Sequence, residues 1–167
     1  IAENVTIGLT SGKMLCKPKK LLKDESFFVK TPTAVASVRG TQFAIEADKM
    51  KTTRIKVFKG EVRVARRLKQ FESNVEKVME LAPTLEKEEK VVITADEVKS
   101  AEKIVENRLV NATTGALPSE NLIEDVIQKS EVQIGVADKN IEKFKPADFV
   151  NENKEIIEVE QKSKEDI

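Results

Sequence analysis

Ser26-Phe27-Phe28-Val29-Lys30-Thr31-Pro32-Thr33-Ala34-Val35-Ala36-Ser37-Val38-Arg39-Gly40-Thr41-Gln42-Phe43, continuing to Val57-Phe58-Lys59-Gly60-Glu61-Val62-Arg63-Val64, reads as consecutive short β-strands joined by turns. Proline at 32 fixes its own φ and keeps Thr31 extended, so Thr31-Pro32 marks a bend. Phe43, Ile45 and Ala47 alternate along one face of a strand from Thr41, and Asp48–Thr52 is its loop. Ile55 and Val57 lead to Lys59-Gly60, a two-residue connection of hairpin type, and Val62 and Val64 resume the alternation.

Upstream, Val5, Ile7 and Leu9 alternate with small or polar residues. Ser11-Gly12 supplies a turn, and Lys13–Lys17 reads as a return strand stopped by Pro18. Downstream the period changes. Leu68, Phe71, Val75, Val78 and Met79 recur three to four apart, which predicts an amphipathic helix over 68–82 ending before Pro83. Val91-Val92-Ile93 is a short β-branched run suited to rejoining the sheet. Thr94-Ala95-Asp96-Glu97 is a capping box that opens a helix with Val98, Ala101, Val105 and Leu109 on one stripe. Pro118-Ser119-Glu120 starts another, with Leu122, Ile123, Val126 and Ile127 inward. Phe144 and Phe149 flank Pro146 as candidates for local docking. Residues 151–167 are mostly charged and polar, the composition of a frayed tail.

The motif carries a resemblance. Thr31-Pro32-Thr33-Ala-Val-Ala, then Arg39-Gly40-Thr41 with Phe43, then Gly60-Glu61-Val62, resembles the FecR domain family, over roughly residues 1–67 and with a last strand at 90–94. Lys/Glu richness without Trp or Tyr is most similar to the exported FecR-domain lipoproteins of spirochaetes such as Leptospira. The resemblance implies a twisted β-solenoid, with a sandwich of short strands as the alternative that the pattern alone allows. The expected fold class is α+β. Residues 1–94 form the FecR-like β core with an inserted helix near 68–82, residues 95–150 a helical appendage, and residues 151–167 the tail.

Composition narrows the chemistry. The 167 residues carry no histidine and one cysteine, Cys16, so Ser–His–Asp and Cys–His couples are excluded and a structural zinc site is disfavoured. Cys16 lies among apolar strand residues, as a small buried hydrophobe does. Glu86/Glu88/Glu89 and Asp96/Glu97 sit at a charged link and a helix start, where acids favour the helix dipole and solubility. No phosphate-binding glycine string occurs. No catalytic, cofactor-binding or metal site is expected, and no cofactor. Thr31, Pro32, Thr33, Arg39, Gly40, Thr41, Phe43, Gly60, Glu61 and Val62 are the motif residues, read as structural. Arg39 offers a planar fork to a partner carboxylate, but flanking Val38 and Phe43 favour a position at the core with an internal acceptor.

The net charge of zero conceals a division: residues 1–70 hold 16 Lys/Arg and 6 Asp/Glu, residues 71–167 hold 13 and 23. Opposed halves suit docking on one another or a basic face on anionic lipid, and solvated faces that merely differ are the plainer reading. Lys17, Lys19, Lys20 and Lys23 fit either a membrane surface or a solvated loop. Arg63, Arg66, Arg67 and Lys69 lack an aromatic platform beside them, which argues against nucleic acid. No apolar run spans a bilayer. The start at Ile1, inside a strand-rich region, suggests a fragment or processed product whose anchor lies elsewhere.

Two functions follow from the resemblance. One is a non-enzymatic interaction module of the cell envelope, in the periplasm or peripherally associated with the outer membrane, with an unidentified protein partner. The other is the periplasmic part of a transmembrane anti-sigma regulator. Such regulators place a small signalling domain of two βαβ-like repeats after the FecR domain, whereas residues 95–150 read as helical.

Overall fold

The computed structural model describes residues 5–17, 27–113, 120–136 and 140–147. Pro18, Lys19, Lys20, Lys23, Pro118, Ser119, Phe149 and the tail, for which the sequence raised expectations, lie outside these residues. Among the described residues the main elements follow in the order β1 (Val5–Gly8), β2 (Gly12–Cys16), β3 (Phe27–Lys30), β4 (Ala34–Val38), β5 (Gln42–Ala47), β6 (Thr53–Lys59), β7 (Val62–Arg66), α1 (Val75–Leu81), β8 (Thr84–Leu85), β9 (Glu89–Ile93), α2 (Ala95–Thr113), α3 (Glu120–Lys129), α4 (Glu131–Ile134) and β10 (Glu142–Lys143). The architecture is α+β, with strands concentrated in the first half and helices in the second.

Two five-stranded sheets replace the expected solenoid. One has the order β1-β3-β4-β7-β8, the other β10-β9-β6-β5-β2. The chain crosses between them in pairs: β3 and β4 lie in the first, β5 and β6 in the second, β7 and β8 in the first, β9 in the second. Two connections expected as hairpins are therefore sheet-switching corners. Strand β1 pairs in parallel with β3, so β2 leaves for the other sheet at Gly12. Lys59-Gly60 likewise hands the chain from β6 to β7 across the sandwich.

Alternation fixes which face of each strand is covered. In the second sheet Phe43, Ile45, Ala47, Ile55, Val57, Val91 and Ile93 are all buried, and every neighbour between them along the strands is more exposed. Strand β4 differs: Ala34, Ala36 and Val38 are buried, and so is Val35 between them. The first sheet is thus covered on both sides, by the second sheet and by helices. Val35 borders Leu68, Phe71, Val75 and Val78. Cys16 pairs with Phe43 and is half-buried against the core.

The expected 68–82 helix is broken. A 3-10 turn at Lys69–Phe71 precedes α1, and Leu68, Phe71, Val78 and Met79 are still buried. Strand β9 rejoins the second sheet beside β6. Strand β10 adds beyond it, which brings the Phe144 ring edge-on to Phe58 at 5.5 Å. Half of the capping box forms: the Thr94 hydroxyl accepts from the Glu97 amide at 3.3 Å, and that hydroxyl donates to the Glu97 carboxylate at 3.2 Å.

One side chain ties the helices to the sheet. Arg66, at the end of β7, donates from Nε to Glu97 Oε1 at 2.9 Å, in the first turn of α2. Its Nη1 donates to the carbonyls of Val132, Gln133 and Gly135 at 3.1, 3.3 and 2.7 Å. Those oxygens end α4, where helical carbonyls lack partners and the dipole favours a cation. Arg66→Ala is expected to cost about 2–4 kcal/mol in urea unfolding, since it strands a half-buried carboxylate and three carbonyls. An unchanged midpoint would mean that apolar contacts alone hold the helical layer.

Candidate functional site

The motif residues gather at the two ends of the sandwich. At one end the β3–β4 hairpin meets the β5–β6 hairpin through three hydroxyls. Thr31, Thr33 and Thr53 are each almost fully buried. Thr53 Oγ1 lies 2.6 Å from both Thr31 Oγ1 and Thr33 Oγ1. Counting protons gives the chain a direction. Thr33 Oγ1 has one proton, directed at the Lys51 carbonyl 2.7 Å away. It must then accept from Thr53, and Thr53 from Thr31. Thr31 Oγ1 accepts in turn from the amides of Ala34 at 2.9 Å and Thr33 at 3.2 Å. Every member is satisfied, which is the condition for burying polar groups without penalty. Pro32, between the two threonines, is half-buried.

A second set of contacts braces this end from outside. Arg67 presents both edges of its fork to Glu72, with Nε to Oε2 at 3.1 Å and Nη2 to Oε1 at 2.7 Å. Its Nη1 donates to the Thr31 carbonyl at 2.9 Å, and Lys30 Nζ donates to Glu72 Oε1 at 3.2 Å. The Arg67 hydrogen bonds hold the Glu72 carboxyl below the usual glutamate range, against a partial desolvation that pushes it up, with Lys30 adding to the lowering.

At the other end the β4–β5 and β6–β7 connections, both of which pass between the sheets, lock together. Gly40 has φ +59° and Gly60 φ +84°, both in the left-handed region. Thr41 is buried and its hydroxyl lies 2.8 Å from the Glu61 carbonyl, to which it donates, and 3.1 Å from that of Arg39. A Cβ on Gly60 would stand 2.8 Å from that hydroxyl oxygen, so residue 60 can carry no side chain here. Phe43 and Val62 are fully buried behind the corner, while the Glu61 side chain points to solvent. Arg39 departs from expectation. It is exposed beside Gly40, because the left-handed turn carries its side chain outward, and it lines a concavity of about 690 Å³ with Glu61, Arg63 and Met79.

The sequence reading missed Thr53, Glu72 and the roles of Arg66 and Arg67. Thr53 shares the buried parity of Ile55 and Val57 on β6, which was the available signal. Arg66 and Arg67, two members of the basic run from Arg63 to Lys69, are engaged within the molecule. Among the described residues no group of three His, Cys, Asp or Glu side chains gathers to hold a metal ion. The carboxyls with resolved shifts, Asp48 and Glu72, are both lowered, Asp48 chiefly by its hydrogen bond from Arg54. Neither is tuned towards proton transfer at neutral pH. No helix of the described residues is long and apolar enough to cross a membrane.

Comparison with known proteins bears on the β part. Residues 2–63 match the sequence profile of the family described as "FecR protein". Two similar crystal structures, at 2.50 and 1.65 Å resolution, are each of a candidate anti-sigma factor from Parabacteroides distasonis ATCC 8503. The first is 20% identical with a TM-score of 0.39, over 50% of this chain and 34% of that one. The second is 19% identical with a TM-score of 0.34, over 52% and 44%. The chain thus spans less than half the length of either. No curated protein matches the sequence.

Thr53→Val keeps the shape of the side chain and removes the middle hydroxyl, leaving the Thr31 proton the Ala34 carbonyl at a long 3.5 Å and Thr33 an empty lone pair. It should cost about 1–3 kcal/mol by chemical denaturation; a neutral result would show that the hydroxyls are not coupled. For Glu72 the folded-state pKa is lowered, so its contribution is complete above the ordinary glutamate value and is lost as pH falls through the folded value. Glu72→Gln should therefore flatten part of the stability loss as pH falls from the ordinary glutamate value through the lowered folded one. Superimposable stability–pH curves would remove Glu72 from the acid transition.

Proposed function

Because this chain carries a FecR-family domain, we propose that it is a non-enzymatic protein-binding module of the cell envelope, the exported part of a FecR-domain lipoprotein. What supports this reading is where the motif residues go. Thr31, Thr33, Thr41, Phe43 and Val62 are buried in hydroxyl bonds and core, and Gly40 and Gly60 serve left-handed turns at the surface, so most of the motif maintains the fold. A module of this kind presents surface, not a reaction centre. The helical layer supports the lipoprotein form over the signal relay. The described residues between 95 and 136 are α2, α3 and α4, docked back on the first sheet, where the family's regulators carry βαβ-like repeats.

The FecR-family match itself favours the relay reading, in which the module couples a receptor to an anti-sigma segment. Mass spectrometry of the N-terminus of the native full-length protein separates the two. An acylated cysteine upstream of Ile1 is the expected result. A cytoplasmic segment followed by a transmembrane helix would overturn the lipoprotein and make sigma-factor capture the next step. Crosslinking in intact envelopes is expected to trap a protein partner in either case. Recovery of uncrosslinked chain alone would overturn the binding-module reading.

A further inference from the structure

Between the Thr31-Pro32-Thr33 turn and the first turn of α2 lies a cleft of about 400 Å³. Pro32, Ala95 and Val98 give it apolar wall, and Lys51, Lys69 and Lys99 belong to its lining. Two carboxylates also border it, and both are engaged. Glu72 is held by Arg67 and Lys30, and Glu102 Oε2 accepts the Lys69 amide at 2.8 Å. The three lysines are exposed and form no ion pair among the described residues.

Lys51 adds a backbone observation. Its φ is +65°, a conformation that glycine adopts without strain and a lysine does not. The main chain is fixed there by its own groups: the Lys51 amide donates to the Asp48 carbonyl at 3.0 Å, and its carbonyl accepts the proton that ends the threonine chain. None of this uses the lysine side chain. The fold therefore places an ammonium at the cleft from a position that a glycine would fill with less strain.

We propose that this cleft binds an acidic, extended segment of a protein partner, whose carboxylates meet Lys51, Lys69 and Lys99. The proposal rests on the reading of the chain as a protein-binding module and names the chemistry of its partner. Charge complementarity selects a peptide over a bilayer. A planar anionic surface prefers a continuous basic face, whereas here the cations surround a recess bordered by Glu72 and Glu102. Apolar wall from Pro32, Ala95 and Val98 suits the aliphatic stems of glutamate side chains.

The test is fluorescence polarisation of a labelled oligoglutamate titrated with the whole chain, beside an oligoglutamine of equal length. Oligoglutamate is expected to bind and oligoglutamine not. Lys51→Gln, Lys69→Gln and Lys99→Gln should each weaken binding about two- to five-fold, as exposed charge contacts do, with losses that compound. Lys129→Gln, on α3, should leave it unchanged. Equal losses at Lys129 would reduce the effect to net charge and overturn the proposal, as would binding indifferent to all three lysines. Phosphatidylserine vesicles that bind through these lysines while oligoglutamate does not would assign the cleft to a membrane instead. Self-association in light scattering that the same substitutions abolish would assign the acid to a second copy. Failure here is separate from failure of the module reading, which the envelope crosslinking tests without these substitutions.

Discussion

Three threonine hydroxyls within hydrogen-bond reach of one another are the contact on which the sandwich closes. Two sheets can share an apolar core only if the chain reversals at their ends bury no unsatisfied polar group. At the hairpin end that condition is met by a single directed chain, from the Thr33 and Ala34 amides through Thr31, Thr53 and Thr33 to the Lys51 carbonyl. Because each hydroxyl has one proton, each member specifies the next, with slack at Thr31, whose hydroxyl also lies 3.5 Å from the Ala34 carbonyl. Its geometry sets the hairpins against one another and so the register between sheets. Pro32 keeps Thr31 extended, which aims that hydroxyl at its neighbours. At the far end Thr41 and Gly60 do the same work with fewer parts: a hydroxyl bonds a carbonyl across two corners, and a missing Cβ leaves it room.

The helical layer depends on a different kind of contact. The end of β7 delivers Arg66 and Arg67 in sequence, and they diverge. Arg67 turns to Glu72 and the Thr31 carbonyl, bracing the hydroxyl end from outside. Arg66 joins the start of α2 to the end of α4. A lysine in either place would lose the fork, since one ammonium cannot meet a carboxylate and three carbonyls from fixed planar positions. The basic first half and acidic second half are thus partly reconciled inside the molecule. Arg66–Glu97 and the contacts of Arg67 and Lys30 with Glu72 are the joints.

Local patterns were legible in the sequence, and pairings were not. Period-two alternation located β5, β6 and β7, the β-branched run at Val91–Ile93 located β9, and the spacing of Val98, Ala101 and Val105 located the buried stripe of α2. Alternation says which residues share a face but not which sheet a strand joins. Lys59-Gly60 therefore read as a hairpin although it crosses the sandwich. The parallel pairing of β1 with β3 is equally silent, because its partners are twenty-two residues apart (Val5 with Phe27) and the intervening turn signal at Ser11-Gly12 is local. Strands β8 and β10, two residues each, are too short for any period to register. The motif named its own residues but not their partners. Thr53, Glu72 and the Lys51 carbonyl come from loops and strands whose closeness exists only after folding. Arg39 was misplaced because its neighbours are buried, and the left-handed Gly40 that follows reverses the direction in which it points.

The same closure constrains where function can lie. Residues that satisfy one another inside the fold have no donor or acceptor left for a ligand, so Thr31, Thr33, Thr41 and Thr53 are poor recognition groups despite their density in the motif. Recognition falls to side chains that the closure positions but does not consume. Lys51 is the clearest of these. Its carbonyl terminates the hydroxyl chain, which fixes its main chain in the left-handed region, and its ammonium is left over at the cleft. Arg39 stands similarly at the opposite end, set outward by Gly40 while Thr41 turns inward. In each case the buried hydroxyl and the exposed cation are coupled through a few peptide units. A change inside the clasp would therefore move the charge outside it, so that stability of the sandwich and the placing of its surface cations are one physical problem.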